Sequence, residues 1–166
     1  ADGLDFKAIE TAARHRALQV AARAIERRLN ADTSDHTGPT RPCPGCSQPA
    51  RYAGRPSKTF TTVLGEVTLA RAYYYCAPCQ GGFCPRDWAL GLKDTSLSPA
   101  ATRMVGLAAA MVSFEESSEL MDQLASVPVE AKQVERTAEA LGREIAKDER
   151  AVVEPEPPPA PTMYLG

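Results

Sequence analysis

Cys43-Pro-Gly-Cys46 and Cys76-Ala-Pro-Cys79, two CxxC pairs separated by 29 residues, decide how the rest of the chain is read. A CxxC pair on a tight turn aims two thiolates at one point, and two such turns complete the tetrahedral sulfur cage that Zn2+ prefers. Pro44-Gly45 and Ala77-Pro78 supply the turn chemistry inside both pairs. The expectation is a structural Zn2+ site with Cys43, Cys46, Cys76 and Cys79 as its ligands. The competing readings are a disulfide framework and a redox pair, and the second would need a thioredoxin-like βαβ setting that the flanks do not provide. Cys84, five residues past Cys79, reads as a buried thiol; its alternative is to replace a ligand in a slipped site.

Lys58 to Leu64 and Val67 to Tyr75, between the pairs, are rich in Thr, Val, Phe and Tyr, and Gly65-Glu66 can turn the chain between them. That predicts a β-hairpin with Val67, Leu69, Arg71, Tyr73 and Tyr75 on one face and Thr68, Ala70, Ala72 and Tyr74 on the other. Pair, hairpin and pair together read as a zinc ribbon over 43–97. The ribbon also gathers Arg51, Arg55, Lys58, Arg71 and Arg86 among Tyr52, Phe60, Tyr73 to Tyr75, Phe83 and Trp88. Cations interleaved with aromatics suit phosphate contact with base stacking. Alternatively the aromatics form the small core a ribbon needs, and the charges solvate it.

Outward from the ribbon, residues 5–29 lack Pro and Gly and predict one long N-terminal helix, within the segment 1–30. Ile9, Ala13, Val20 and Ala24 fall on one side of it and Leu18, Ile25 and Leu29 on another, a pattern suited to packing between partners or to a plain surface helix. Residues 31–42 carry turn formers and two prolines and read as a linker. His36 within it and His15 on the helix have no cysteine or carboxylate cluster beside them and read as solvated.

C-terminal to the ribbon, 98–148 reads as three helices. Ser98-Pro99 opens the first, about Pro99 to Val112; Ser113-Phe-Glu-Glu116 is a capping box that opens the second, to about residue 125; the third runs from about Ala131 to Lys147. On the third, Val134, Ala138, Leu141 and Ile145 share the core face, and Lys132, Arg136, Arg143 and Lys147 lie within about 60° of arc on the other side. With Gln133 among them, these are the candidate DNA contacts of a helix-turn-helix-like unit. Glu139 flanks the stripe and can pair with Arg136 and Arg143. A Pro-rich acidic linker follows at 149–161, and 162–166 reads as the opening of a buried strand. The fold class expected is α+β, mostly α.

Composition sets the bounds. The 166 residues are 43% hydrophobic and 24% charged, enough for one domain or two small ones and too few for a large multidomain enzyme. The net charge of −2 announces no global field for nucleic acid. It conceals six basic against three acidic residues over 43–98, and five against nine over 99–148. No signal peptide opens the chain, and its most apolar stretch, Met104 to Phe114, falls well short of the roughly 18 residues of a membrane span. A cytoplasmic protein with reduced thiols and no membrane partner is expected. The first residue is Ala rather than Met, which suggests a fragment with an upstream portion missing.

The run from CPGC to CAPC, then GFCPRDWALGLKDTSLSP, MVSFEESSELM, VEAKQVERTAEALGREI and PTMYLG, resembles the N-terminal region of bacterial insertion-sequence transposases of the ISKra type, from about Cys43 to Gly166. The resemblance implies that MYLG begins a strand leading to the first catalytic aspartate of an RNase H-like domain, and that this chain stops before it. Mg2+ or Mn2+ would belong only to that missing domain. No catalytic residue carries over, so the chain alone is expected to be inactive. What the resemblance implies here is a Zn2+ knuckle on the four cysteines and a nucleoid-associated role in recognising double-stranded DNA at element ends during DNA transposition. The alternative is an assembly module of a homo-oligomeric complex without sequence readout.

Overall fold

The computed structural model describes residues 5–151. It is an α+β molecule in which helix predominates and the strands form small antiparallel sheets. The expected strand at 162–166 and most of the expected Pro-rich linker lie outside the described residues, while 149–151 continue the last helix.

Helix α1 spans Phe6–Ala31, and the Asp5 carboxylate at its N-cap accepts the Ala8 N–H at 3.3 Å. Of its two apolar sides the one with Leu18 and Leu29 docks, while Ile25 on that side stays 40% exposed. Ala22 and Leu29 join Phe60, Val67, Leu69 and Leu92 in a core cluster, with Leu18 half-buried on the same side. Ile9, Ala13, Val20 and Ala24 are exposed.

The expected hairpin exists, as β3 (Ser57–Thr62) and β4 (Gly65–Ala70), with Phe60 opposite Val67 and Thr62 opposite Gly65. Its turn lies at Val63-Leu64 rather than Gly65-Glu66. Gly65 takes the positive φ of 116° that ends the turn instead of opening it. Thr62 holds the turn by accepting the Leu64 N–H and donating to the Gly65 carbonyl. Val63 and Leu64 occupy the tip because both pack inward, Val63 on the C-terminal helical cluster and Leu64 on the α1 cluster.

The long strand expected over Val67 to Tyr75 is two. Its alternation holds through Leu69 and Arg71 and then inverts, with Ala72 and Tyr74 buried and Tyr75 exposed. The chain leaves β4 after Ala70, the Asp35 carboxylate accepts the Ala72 N–H at 2.7 Å, and β5 (Tyr74–Cys76) begins in another sheet. That sheet has the order β1 (Thr40–Pro42), β2 (Pro49–Tyr52), β5, β6 (Gly81–Phe83). Each CxxC pair closes one of its hairpins, and β3–β4 is inserted between the two. Residues 31–42, read as a linker, thus supply both β1 and the buried Asp35.

After the short α2 (Pro85–Ala89) come α3 (Pro99–Ala109), α4 (Phe114–Leu120) and α5 (Ala131–Ala151). Ser98 caps α3, and Ser113 with Glu116 forms the expected capping box of α4. The second helix reaches residue 125 only by widening into a π-helical turn at Met121–Ala125, which Ser126 ends in the left-handed region at φ 57°. Leu97, Ala101, Val105, Met121, Val127, Val129 and Val134 form the core of this part. Ala138 and Leu141 are half-buried and Ile145 is 58% exposed, so the core face of α5 is used over its N-terminal half. Thr61 bridges to Leu97, and Arg14 of α1 donates to the Leu124 carbonyl at 2.8 Å, tying the helices to the rest. No helix among the described residues is long and apolar enough to cross a membrane.

Candidate metal centre and the placement of the basic residues

Each half of the centre is built by a hairpin whose loop bends back on itself. In the first, Cys43 N–H donates to the Gln48 carbonyl and Ser47 N–H to the Cys43 carbonyl, both at 2.8 Å. In the second, Gln80 N–H donates to the Ala77 carbonyl at 3.2 Å, and Cys76 pairs with Gly81. The residue after the last cysteine of each pair, Ser47 and Gln80, has a positive φ of 61° and 50°. This left-handed region favours glycine, yet Ser and Gln occupy it, so no glycine marks either bend in the sequence.

Because β2 and β5 are hydrogen-bonded neighbours, the two loops meet, and the Sγ atoms of Cys43, Cys46, Cys76 and Cys79 lie within 4.8 Å of one another. Cys43 and Cys79 are 3.8 Å apart and Cys46 and Cys76 3.5 Å. Ligands about 2.3 Å from a tetrahedral zinc stand about 3.8 Å apart, so the spacing fits that ion. All five cysteines are free thiols, and Cys84 is buried outside the cluster, where burial pushes its thiol up.

The thiols of Cys43, Cys76 and Cys79 are shifted in opposite directions. The Gly45 and Cys46 N–H groups lower Cys43 to about 7. Hydrogen bonds with the thiols of Cys46, Cys43 and Cys76 push Cys79 up to about 12. At Cys76 the Cys79 N–H pulls the value down, but burial and the Cys46 and Cys43 thiols outweigh it and the net direction is up. Four sulfurs packed this closely resist ionising together, a conflict that a bound divalent cation removes.

Around the centre, Tyr52, Tyr74 and Phe83 line one face of the sheet with Ala50, Ala72, Cys43 and Cys76. Ring centroids follow at 4.4 Å from His36 to Tyr52, 5.7 Å to Tyr74, 5.8 Å to Phe83 and 5.5 Å to Trp88. Tyr52, Tyr74 and Phe83 therefore pack in the core of this sheet, and Phe60 in that of α1 and the β3–β4 hairpin. Tyr75 and Trp88 remain 42% and 41% exposed.

The cations expected to reach DNA divide sharply. Arg71 and Arg86 are 7% and 5% exposed. Arg71 donates to Asp87 at 2.6 Å; Arg86 donates to the Leu29 carbonyl at the end of α1 and lies 3.3 Å from Asp35. Arg55 also donates to Asp35, at 2.8 Å, and the half-buried Lys58 donates to the Thr95 carbonyl. These four charges are committed inside the fold, which the sequence could not show because Asp35 and Asp87 come from distant segments. Arg51 is exposed, as are Lys132, Arg136, Arg143 and Lys147. Arg143 lies 3.7 Å from Glu139, and Gln133 donates to the Ser96 hydroxyl.

The chain matches no family model and no curated protein.

Proposed function

We propose that this chain is a zinc-stabilised DNA-binding module, a zinc ribbon followed by a helix-turn-helix-like unit, serving the recognition of element-end duplex DNA by an insertion-sequence transposase. The observation that carries the reading is the exposed row of Lys132, Arg136, Arg143 and Lys147 on α5, opposite the side on which Val134 is buried against α3 and α4. A helix anchored by one face with cations along the other suits phosphate contact at a duplex groove. The four-thiol cluster supports the ribbon half of the reading, and the resemblance of the sequence supports the transposase context.

The test is binding of the full chain to a duplex carrying the element ends and to a scrambled duplex over a salt series. The expected result is a preference for the element ends and a negative salt slope, reduced by about two when Lys132 and Arg136 are changed to alanine. Equal affinity for both duplexes would sink sequence recognition; a slope near zero would sink phosphate contact.

A second reading, an assembly module, is favoured by α1, whose undocked face leaves Phe6 77% and Val20 69% exposed. Sedimentation with and without DNA decides it, since a chain that stays monomeric at high concentration in both conditions contradicts assembly.

A further inference from the structure

One face of the four-stranded sheet is the core; on the other, Arg51, Tyr75 and Gly82 are exposed. The pairings Thr40 with Arg51, Arg51 with Tyr75 and Tyr75 with Gly82 set these four residues in one row across this second face. Tyr75 and Arg51 are both exposed. Tyr73 lies two residues before Tyr75 and so shares its side. Its phenol lies over Gly82, where a Cβ would overlap the ring. The glycine thus makes room for an aromatic on the solvent side of a sheet whose own core lies on the opposite side. Two phenols separated by one strand residue, with a guanidinium directly across from one of them, make a flat platform that is aromatic and cationic at once.

We propose that this face binds an unpaired DNA strand, with bases stacked on Tyr73 and Tyr75 and a phosphate on Arg51. Paired bases present only their edges, whereas unstacked bases present the π-faces that phenols take up. A single guanidinium beside the rings suits the alternation of base and phosphate along one strand. The proposal rests on the reading that this chain handles DNA, but it adds a surface and a substrate form that α5 does not supply.

The test uses the zinc-loaded full chain with a single strand of about ten nucleotides, the blunt duplex of the same sequence, and the matching RNA strand. Tyr75→Ala is expected to weaken single-strand binding about tenfold or more, while Tyr75→Phe stays close to the parent. Arg51→Ala is expected to make the salt slope about 0.7 less negative. Bound zinc, measured on each variant, should stay at the parent level, because Tyr75 and Arg51 point away from the thiols. Unchanged single-strand affinity in Tyr75→Ala overturns the proposal, as does binding of the RNA strand but not the DNA strand. Replacing the α5 cations should weaken the duplex complex and spare the single-strand complex. A parent chain that binds element-end and scrambled duplexes equally, yet keeps the Tyr75-dependent single-strand complex, would sink the element-end reading and leave this one standing.

Discussion

Asp35 accepts the Ala72 N–H on one carboxylate oxygen and faces Arg55 and Arg86 with the other, nearly out of water. Burial alone would push its carboxyl up, but the Ala72 N–H, Arg55 and Arg86 outweigh it and hold the value below the ordinary one. Since the folded-state value is the lower, this stabilisation is complete above the unfolded value near pH 4 and is lost as pH falls through the folded value. Burial of Asp87 outweighs the pull of Arg71 and raises its carboxyl, so that group works in the opposite sense. Asp35→Asn leaves Arg86 buried against a neutral partner and is expected to cost about 3 kcal/mol at neutral pH in denaturant unfolding. The variant should also lose stability less steeply than the parent as pH falls below about 4; an unchanged slope would contradict the assignment. Ser117 offers a test of opposite sign. Its hydroxyl is buried without a hydrogen-bond partner among the described residues, so Ser117→Ala should raise stability by about 1 kcal/mol, and a loss of that size would mean that the hydroxyl is satisfied.

At the scale of the element, α1 substitutes for a missing strand. Glu26 accepts the Thr68 N–H at 2.8 Å, Asn30 accepts the Ala70 N–H and donates to the Thr68 carbonyl, and Asp35 takes the next free N–H at Ala72. The spacing of Glu26 and Asn30, one helical turn, matches alternate N–H groups on the edge of β4. Asn30→Ala strips two of these bonds and is expected to cost about 1–2 kcal/mol in thermal or chemical unfolding; a neutral result would mean that water serves the edge equally well. The helices were legible in the sequence because their caps are local, as at Ser98 and Ser113. The thiol cluster was legible because CxxC spacing is local too. The break between β4 and β5 was not, since Thr68 to Tyr75 is a continuous run of strand-compatible residues and only Asp35, far back in the chain, interrupts it. For the same reason Arg71 and Arg86 look like Arg51 in sequence, and only tertiary pairing separates buried cations from free ones.

The whole molecule holds three clusters together: the helices around Val105 and Val134, α1 on the β3–β4 hairpin, and the sheet around Tyr74 and the thiols. The hairpin tip joins the first two through Val63 and Leu64, and Asp35 with Arg86 joins α1 to the third. Strands of three and four residues supply little cohesion on their own, so the third cluster depends most on a cross-link. Binding of a metal by its four thiols would link the two hairpins and contribute directly to folding. The direct measurement is metal analysis of the purified chain coupled to amide exchange before and after chelation. A four-thiol metal site predicts one zinc per chain, lost in Cys76→Ser, with chelation deprotecting β1, β2, β5 and β6 while α3 and α5 keep their protection. A chain that binds no stoichiometric metal, or whose sheet stays fully protected after chelation, would contradict it.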